Sequence, residues 1–124
     1  MRNSITPLSG GRLRKEYRGT LAWKREITLL RQMAGSGLCP ELLDAPLRQA
    51  EMTECPGVPL GECIRTASRQ EAREMMAALA AWTDAFEREY HRRTGQTAVL
   101  EDLSPGNFLW DAASRKITGL DFEF

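Results

Sequence analysis

Between Ser68 and Arg93 the chain carries one unbroken helical pattern, and nothing else in it restricts the fold as much. Ser68 followed by Glu71 three residues later is a capping-box signature. Met75, Met76, Leu79, Trp82, Phe86 and Tyr90 then form one apolar stripe, and Gly95 follows as the stop. A stripe of this kind is core, so other elements must cover it. His91, in the last turn among arginines, reads as a solvated side chain that favours the negative helix end. The longest apolar run, the eight residues Met75–Trp82, is far too short to span a membrane.

The elements on either side are shorter. Asn3–Leu8 and Arg12–Tyr17 read as a hairpin turning at Ser9-Gly10-Gly11. The second strand is heavily basic and is expected near a sheet edge or a charged ligand. Thr20–Ala34 reads as a helix with Thr20 as N-cap, Trp23, Ile27, Leu30 and Met33 at helical spacing, and Gly35 as a left-handed stop. Leu38–Pro46 reads as a connection, Leu47–Glu54 as a strand, and Pro56-Gly57-Val58-Pro59 as a break. A short helix is expected over Leu60–Thr66. Thr97–Leu100 is expected to be a strand, and Phe108–Trp110 with Lys116–Leu120 a hairpin across Asp111–Arg115. The class is α+β, and the length of 124 residues suits a single domain.

Charge and cysteine content narrow the function classes. Seventeen basic residues balance seventeen acidic ones, so whole-chain attraction to nucleic acid is not indicated. The balance is uneven along the chain. Residues 1–31 hold eight basic and two acidic residues, a net +6, which leaves −6 for the rest. Two solvated surfaces of opposite sign, or an anion gripped at their junction, both fit this split. The N-terminus MRNSITPLSGG has no apolar signal core. Three cysteines without a CxxC pair, beside a single histidine, do not make a zinc site. They read as reduced thiols in a cytoplasmic protein.

Three polar residues near the end of the chain carry candidate chemistry. Asp102 and Asn107 fall in a loop between expected strands, and Asp121 ends the following hairpin. Two carboxylates and an amide oxygen are hard ligands suited to magnesium, which keeps water and phosphate as its other partners. Asp102 and Asn107 also read as turn residues beside Ser104-Pro105-Gly106, and Asp121 as the cap of a turn.

The wording around these residues resembles a known family. Asp102-Leu103-Ser104-Pro105-Gly106-Asn107, then Ile117-Thr118-Gly119-Leu120-Asp121-Phe122-Glu123, is similar to the catalytic segment of protein-kinase-like phosphotransferases: D-x-x-x-x-N, a hairpin, then a D-F motif. The Pro-Gly-Asn and Asp-Phe-Glu wording resembles the bacterial branch, which includes aminoglycoside and choline phosphotransferases and lipopolysaccharide core kinases. The resemblance implies a minimal kinase-like domain over 1–124, with 1–52 as the N-lobe-like part, 53–59 as the hinge and 60–124 as a truncated C-lobe-like part. It implies ATP and Mg2+ as cofactors and transfer of the γ-phosphate to a hydroxyl of a small molecule, a saccharide or a protein.

Roles follow from the same resemblance. Lys15 is the phosphate-binding lysine and Glu26 the helix glutamate that fixes it, with Arg14 and Lys24 as alternatives for the lysine. Backbone at Thr53–Cys55 faces adenine. Asn107 and Asp121 hold the metal, and Asp102 accepts the proton of the acceptor hydroxyl. The chain departs from the family at three places. Leu100 stands where a histidine usually precedes the catalytic Asp. The first hairpin with its Gly-rich loop has no room. The sequence ends at Phe124, before the segments that hold an acceptor. These departures leave open a catalytically weak or inactive pseudokinase that binds nucleotide or protein, with a homo-oligomer or partner protein covering the truncated lobe. A nucleic-acid binder rests on the basic N-terminal charge alone.

Overall fold

The computed structural model describes residues 3–100 and 103–122. The chain divides into two units, with the cut after Glu54 and with Asp121 and Phe122 belonging to the first. The fold is α+β, built from helices and antiparallel sheets.

In the first unit, β1 (Ser4–Leu8) and β2 (Arg12–Glu16) form the hairpin expected at Gly10-Gly11. The sheet continues through β4 (Gln49–Thr53) to β3 (Leu42–Asp44), in the order β1-β2-β4-β3. The basic strand β2 is therefore interior, not at an edge. Period-two alternation explains how this is tolerated. Arg12 and Arg14 share one face, where both reach Glu51 on β4, while Lys15 and Tyr17 turn to the other face and are buried. β3 lies within the stretch expected to be a plain connection. Three residues are too few to show alternation, and its register shifts beside β4, so only the partner strand defines it.

Helix α1 (Thr20–Gln32) covers this unit's core with Ile27, Leu29 and Leu30, continued by the fully buried Met33. Thr20 is not its N-cap. Gly19 holds that position in extended backbone, with no side-chain cap, and Thr20 is already helical. The Trp23 indole N–H donates to the Gln49 carbonyl at 2.8 Å, tying α1 to β4. The helix ends at Met33, and Gly35 follows at φ +75° with its N–H donating to the Glu41 carboxylate.

In the second unit, β5 (Val58–Pro59), α2 (Leu60–Thr66) and α3 (Arg69–Thr94) precede the hairpin of β6 (Phe108–Asp111) and β7 (Lys116–Gly119). Ser68 caps α3 as expected, its hydroxyl accepting from the Glu71 N–H at 3.1 Å. Met75, Leu79, Trp82 and Phe86 are buried, whereas Met76 lies off the stripe and is half exposed. Trp82 stacks on Phe86 at 5.0 Å and meets Phe108 edge-on at 4.9 Å, so the α3 stripe is covered by the hairpin.

Two expectations fail in this unit. Thr97–Leu100 is not a strand: it finds no sheet partner among the described residues, and Val99 is largely exposed. The third strand of the sheet comes from the stretch read as a break. Val58 pairs with Trp110 and Pro59 with Leu109, an edge position where proline's missing N–H is tolerated.

Candidate functional site

Strand β2 and helix α1 each deliver one charged residue into the first unit's interior. Lys15 is 6% exposed and Glu26 is fully buried. Burying either charge alone would be costly, so the two must pair and fill their remaining hydrogen-bond capacity. They do. The Lys15 ammonium donates to Glu26 Oε1 at 2.9 Å. The Tyr17 hydroxyl donates to the same oxygen at 2.6 Å, and the Phe122 N–H donates to Oε2 at 2.8 Å. The ammonium also lies 5.0 Å from the centroid of the Tyr17 ring.

Asp121 joins this cluster from the far end of the chain. Its carboxylate is 3.8 Å from the Lys15 ammonium and 41% exposed. One ammonium thus stands between two carboxylates of different character. Glu26 is enclosed and holds three donors, which fixes it in place. Asp121 faces solvent and can take a further cation.

The other sequence-derived residues are distributed as follows. Arg14 and Lys24, the alternatives to Lys15, are not buried, and Arg14 is engaged with Glu51. Asn107 lies in the second unit, at the end of a 3-10 turn over Pro105–Asn107. Its carbonyl accepts from the Leu120 N–H at 2.9 Å. Asp102 falls outside the described residues. At the end of β4 the Thr53 N–H donates to the Glu41 carbonyl and the Glu54 N–H to the Gly11 carbonyl, both at 2.9 Å. Both donors are engaged within the first unit. Cys55 is half buried in the second unit, and no disulfide joins the three cysteines.

Two members of the cluster escaped the sequence reading. Tyr17 carried a signal: two positions after Lys15 on a strand, it must share Lys15's face. The Phe122 N–H carried none, because every non-proline residue has one.

Magnesium and a nucleoside triphosphate fit this chemistry. Magnesium is held by one or two protein carboxylates plus phosphates and water, and Asp121 offers one such carboxylate beside a cation suited to phosphate. Among the described residues no three His, Cys, Asp or Glu side chains gather as an all-protein cage would require. No described helix is long and apolar enough to cross a membrane. No protein-family model and no curated protein sequence matches this chain.

Proposed function

We propose that this chain is an ATP- and magnesium-dependent phosphotransferase of protein-kinase-like design, transferring the γ-phosphate to a hydroxyl of a small molecule, a saccharide or a protein. The observation that carries the reading is the buried Lys15–Glu26 pair with the Asp121 carboxylate 3.8 Å from the ammonium. Phosphoryl transfer asks a protein mainly for positioning and for neutralisation of phosphate charge. Lys15 supplies a cation whose direction is fixed by Glu26. Asp121 supplies a solvent-facing carboxylate that would hold the metal, and the metal would add further neutralisation of phosphate charge.

Tyr17 and the Phe122 N–H keep Glu26 hydrogen-bonded while Lys15 shares its protons with a phosphate. The roles of Asp102 as acceptor of the hydroxyl proton and of Asn107 as a metal ligand rest on the motif wording, as does adenine contact along Thr53–Cys55. ATP chemistry and three cysteines outside any disulfide suit the cytoplasm. Leu100, in place of the bracing histidine, favours a second reading in which nucleotide binds without efficient transfer.

The test is calorimetric titration with ATP, with and without magnesium, on the wild type and on Asp121→Asn. Magnesium-dependent binding lost in the variant supports a nucleotide site. ADP production that disappears in Asp102→Ala separates transfer from binding alone. No binding at about millimolar ATP overturns both readings.

A further inference from the structure

We infer that the outer face of α3 pairs antiparallel with α3 of a second copy of this chain, about a two-fold axis at Ala80. The inference rests on the second unit alone and is independent of the proposed chemistry. The inner stripe of α3 is covered by its own unit, but its outer face is not polar throughout. At its middle, Met76, Ala77 and Ala80 are all exposed, with Met76 at 50%. Leu103, 42% exposed, lines an open groove of about 380 Å³ together with Met76, Ala80, Thr83, Asp84 and Glu87. Small side chains there let a second helix approach to the close end of the usual 8–10 Å spacing.

The charges choose the occupant. Along α3, Asp84 pairs with Arg88, Glu89 with Arg92 and Arg93, and Glu74 with Arg115 on β7's hairpin. Arg73 and Glu87 have no ion-pair partner among the described residues, and both are exposed. They have opposite sign, and each is seven residues from Ala80. Seven residues are about 10.5 Å of rise and return to within about 20° of the same helix line. Arg73, Ala80 and Glu87 therefore share one line, with the charges equidistant from its centre. A two-fold axis at Ala80 sets Arg73 of one copy against Glu87 of the other, twice, as a self-complementary interface requires. A parallel arrangement would set like against like. One helix pair makes a small interface, in the weak class below about 1,200 Å², so the dimer should depend on concentration.

Sedimentation equilibrium on the full chain tests this with Arg73→Glu and Glu87→Arg. Both substitutions are on exposed positions, and circular dichroism checks that helix content is unchanged. Wild type should dimerise reversibly, and each variant alone should be monomeric because its two copies meet with like charges. An equimolar mixture of the two variants should dimerise again, since both ion pairs reform with sign reversed. A wild type that stays monomeric at about millimolar protein, alone or with a different protein bound, overturns the inference. So does a dimer that survives both single substitutions, or a mixture that stays monomeric.

Discussion

Replacing Glu26 with glutamine tests the cluster at its most enclosed atom. The carboxylate receives two donors on Oε1, from Lys15 and Tyr17, and one on Oε2, from the Phe122 N–H. Glutamine offers one acceptor oxygen and one NH2 group. With its oxygen on the Phe122 side, the NH2 meets the Lys15 ammonium, donor against donor. Flipped, it breaks the bond from the Phe122 N–H and sets NH2 against N–H, at about 1–3 kcal/mol. In either case the ammonium loses its nearest counter-charge. Breaking one side of a buried ion pair costs about 3–5 kcal/mol. Asp121, 3.8 Å away and partly solvated, offsets some of this, so a value of about 3 kcal/mol is expected.

Lys15→Met should cost a similar amount, because it leaves a buried carboxylate with neutral donors only. The double variant should not cost the sum. With both charges gone, the glutamine oxygen can accept from Phe122 and its NH2 can donate to the Tyr17 oxygen, while methionine fills the lysine's volume. A total cost of about 1–2 kcal/mol is expected, a coupling of about 4 kcal/mol relative to the singles. Urea unfolding at unchanged m-value measures all three. Additive single effects, or a Glu26→Gln cost under about 1 kcal/mol, would refute the reasoning.

Two further outcomes follow from the second unit. Gly57 sits at φ +124°, and a Cβ there would lie 2.7 Å from the Trp110 carbonyl oxygen and 2.8 Å from its carbon. Those are backbone atoms of the paired strand, so Gly57→Ala should cost at least about 1–3 kcal/mol and lower the thermal midpoint; an unchanged midpoint would show that the β5–β6 approach is not tight. Glu89 has its pKa lowered from 4.5 to about 2, first by its hydrogen bond to Arg92 and then by that to Arg93. Its folded pKa is depressed, so its small contribution to stability is present above pH 4.5 and is lost as pH falls through about 2. Carboxyl NMR should find that midpoint near 2 in the wild type and closer to 4.5 in Arg92→Ala.

The elements legible in the sequence are those that carry their own signal. Ser68 and Glu71 announce the start of α3, and the Gly10-Gly11 turn announces the first hairpin, because caps and turns are local chemistry. β3 and β5 were not legible. At three and two residues they exist only through the strands beside them. Thr97–Leu100 had strand-like residues but no partner. The interior placement of β2 was hidden by its charge, since the decisive fact, Glu51 on the neighbouring strand, is a tertiary one. Within the candidate site, Lys15, Glu26 and Asp121 were named from motif wording and lie together. The order of donors around Glu26 was not legible, because a backbone N–H leaves no trace in a sequence.

The buried pair raises the question of why a chain of this size would keep an ammonium inside a four-stranded sheet. Stability is a weak answer, since well-packed apolar residues in place of a buried ion pair often serve as well or better. The Lys15→Met, Glu26→Gln double variant separates the two answers. If the cluster is architecture alone, the variant loses only the stability expected above, about 1–2 kcal/mol, and its magnesium-dependent ATP binding is unchanged. If the cluster is chemistry, the same variant keeps most of its stability and its helix content yet loses magnesium-dependent ATP binding entirely. Comparing its unfolding midpoint with its calorimetric response therefore assigns the pair a role that neither measurement assigns alone, and retained ATP binding in the well-folded double variant would remove Lys15 and Glu26 from the proposed mechanism.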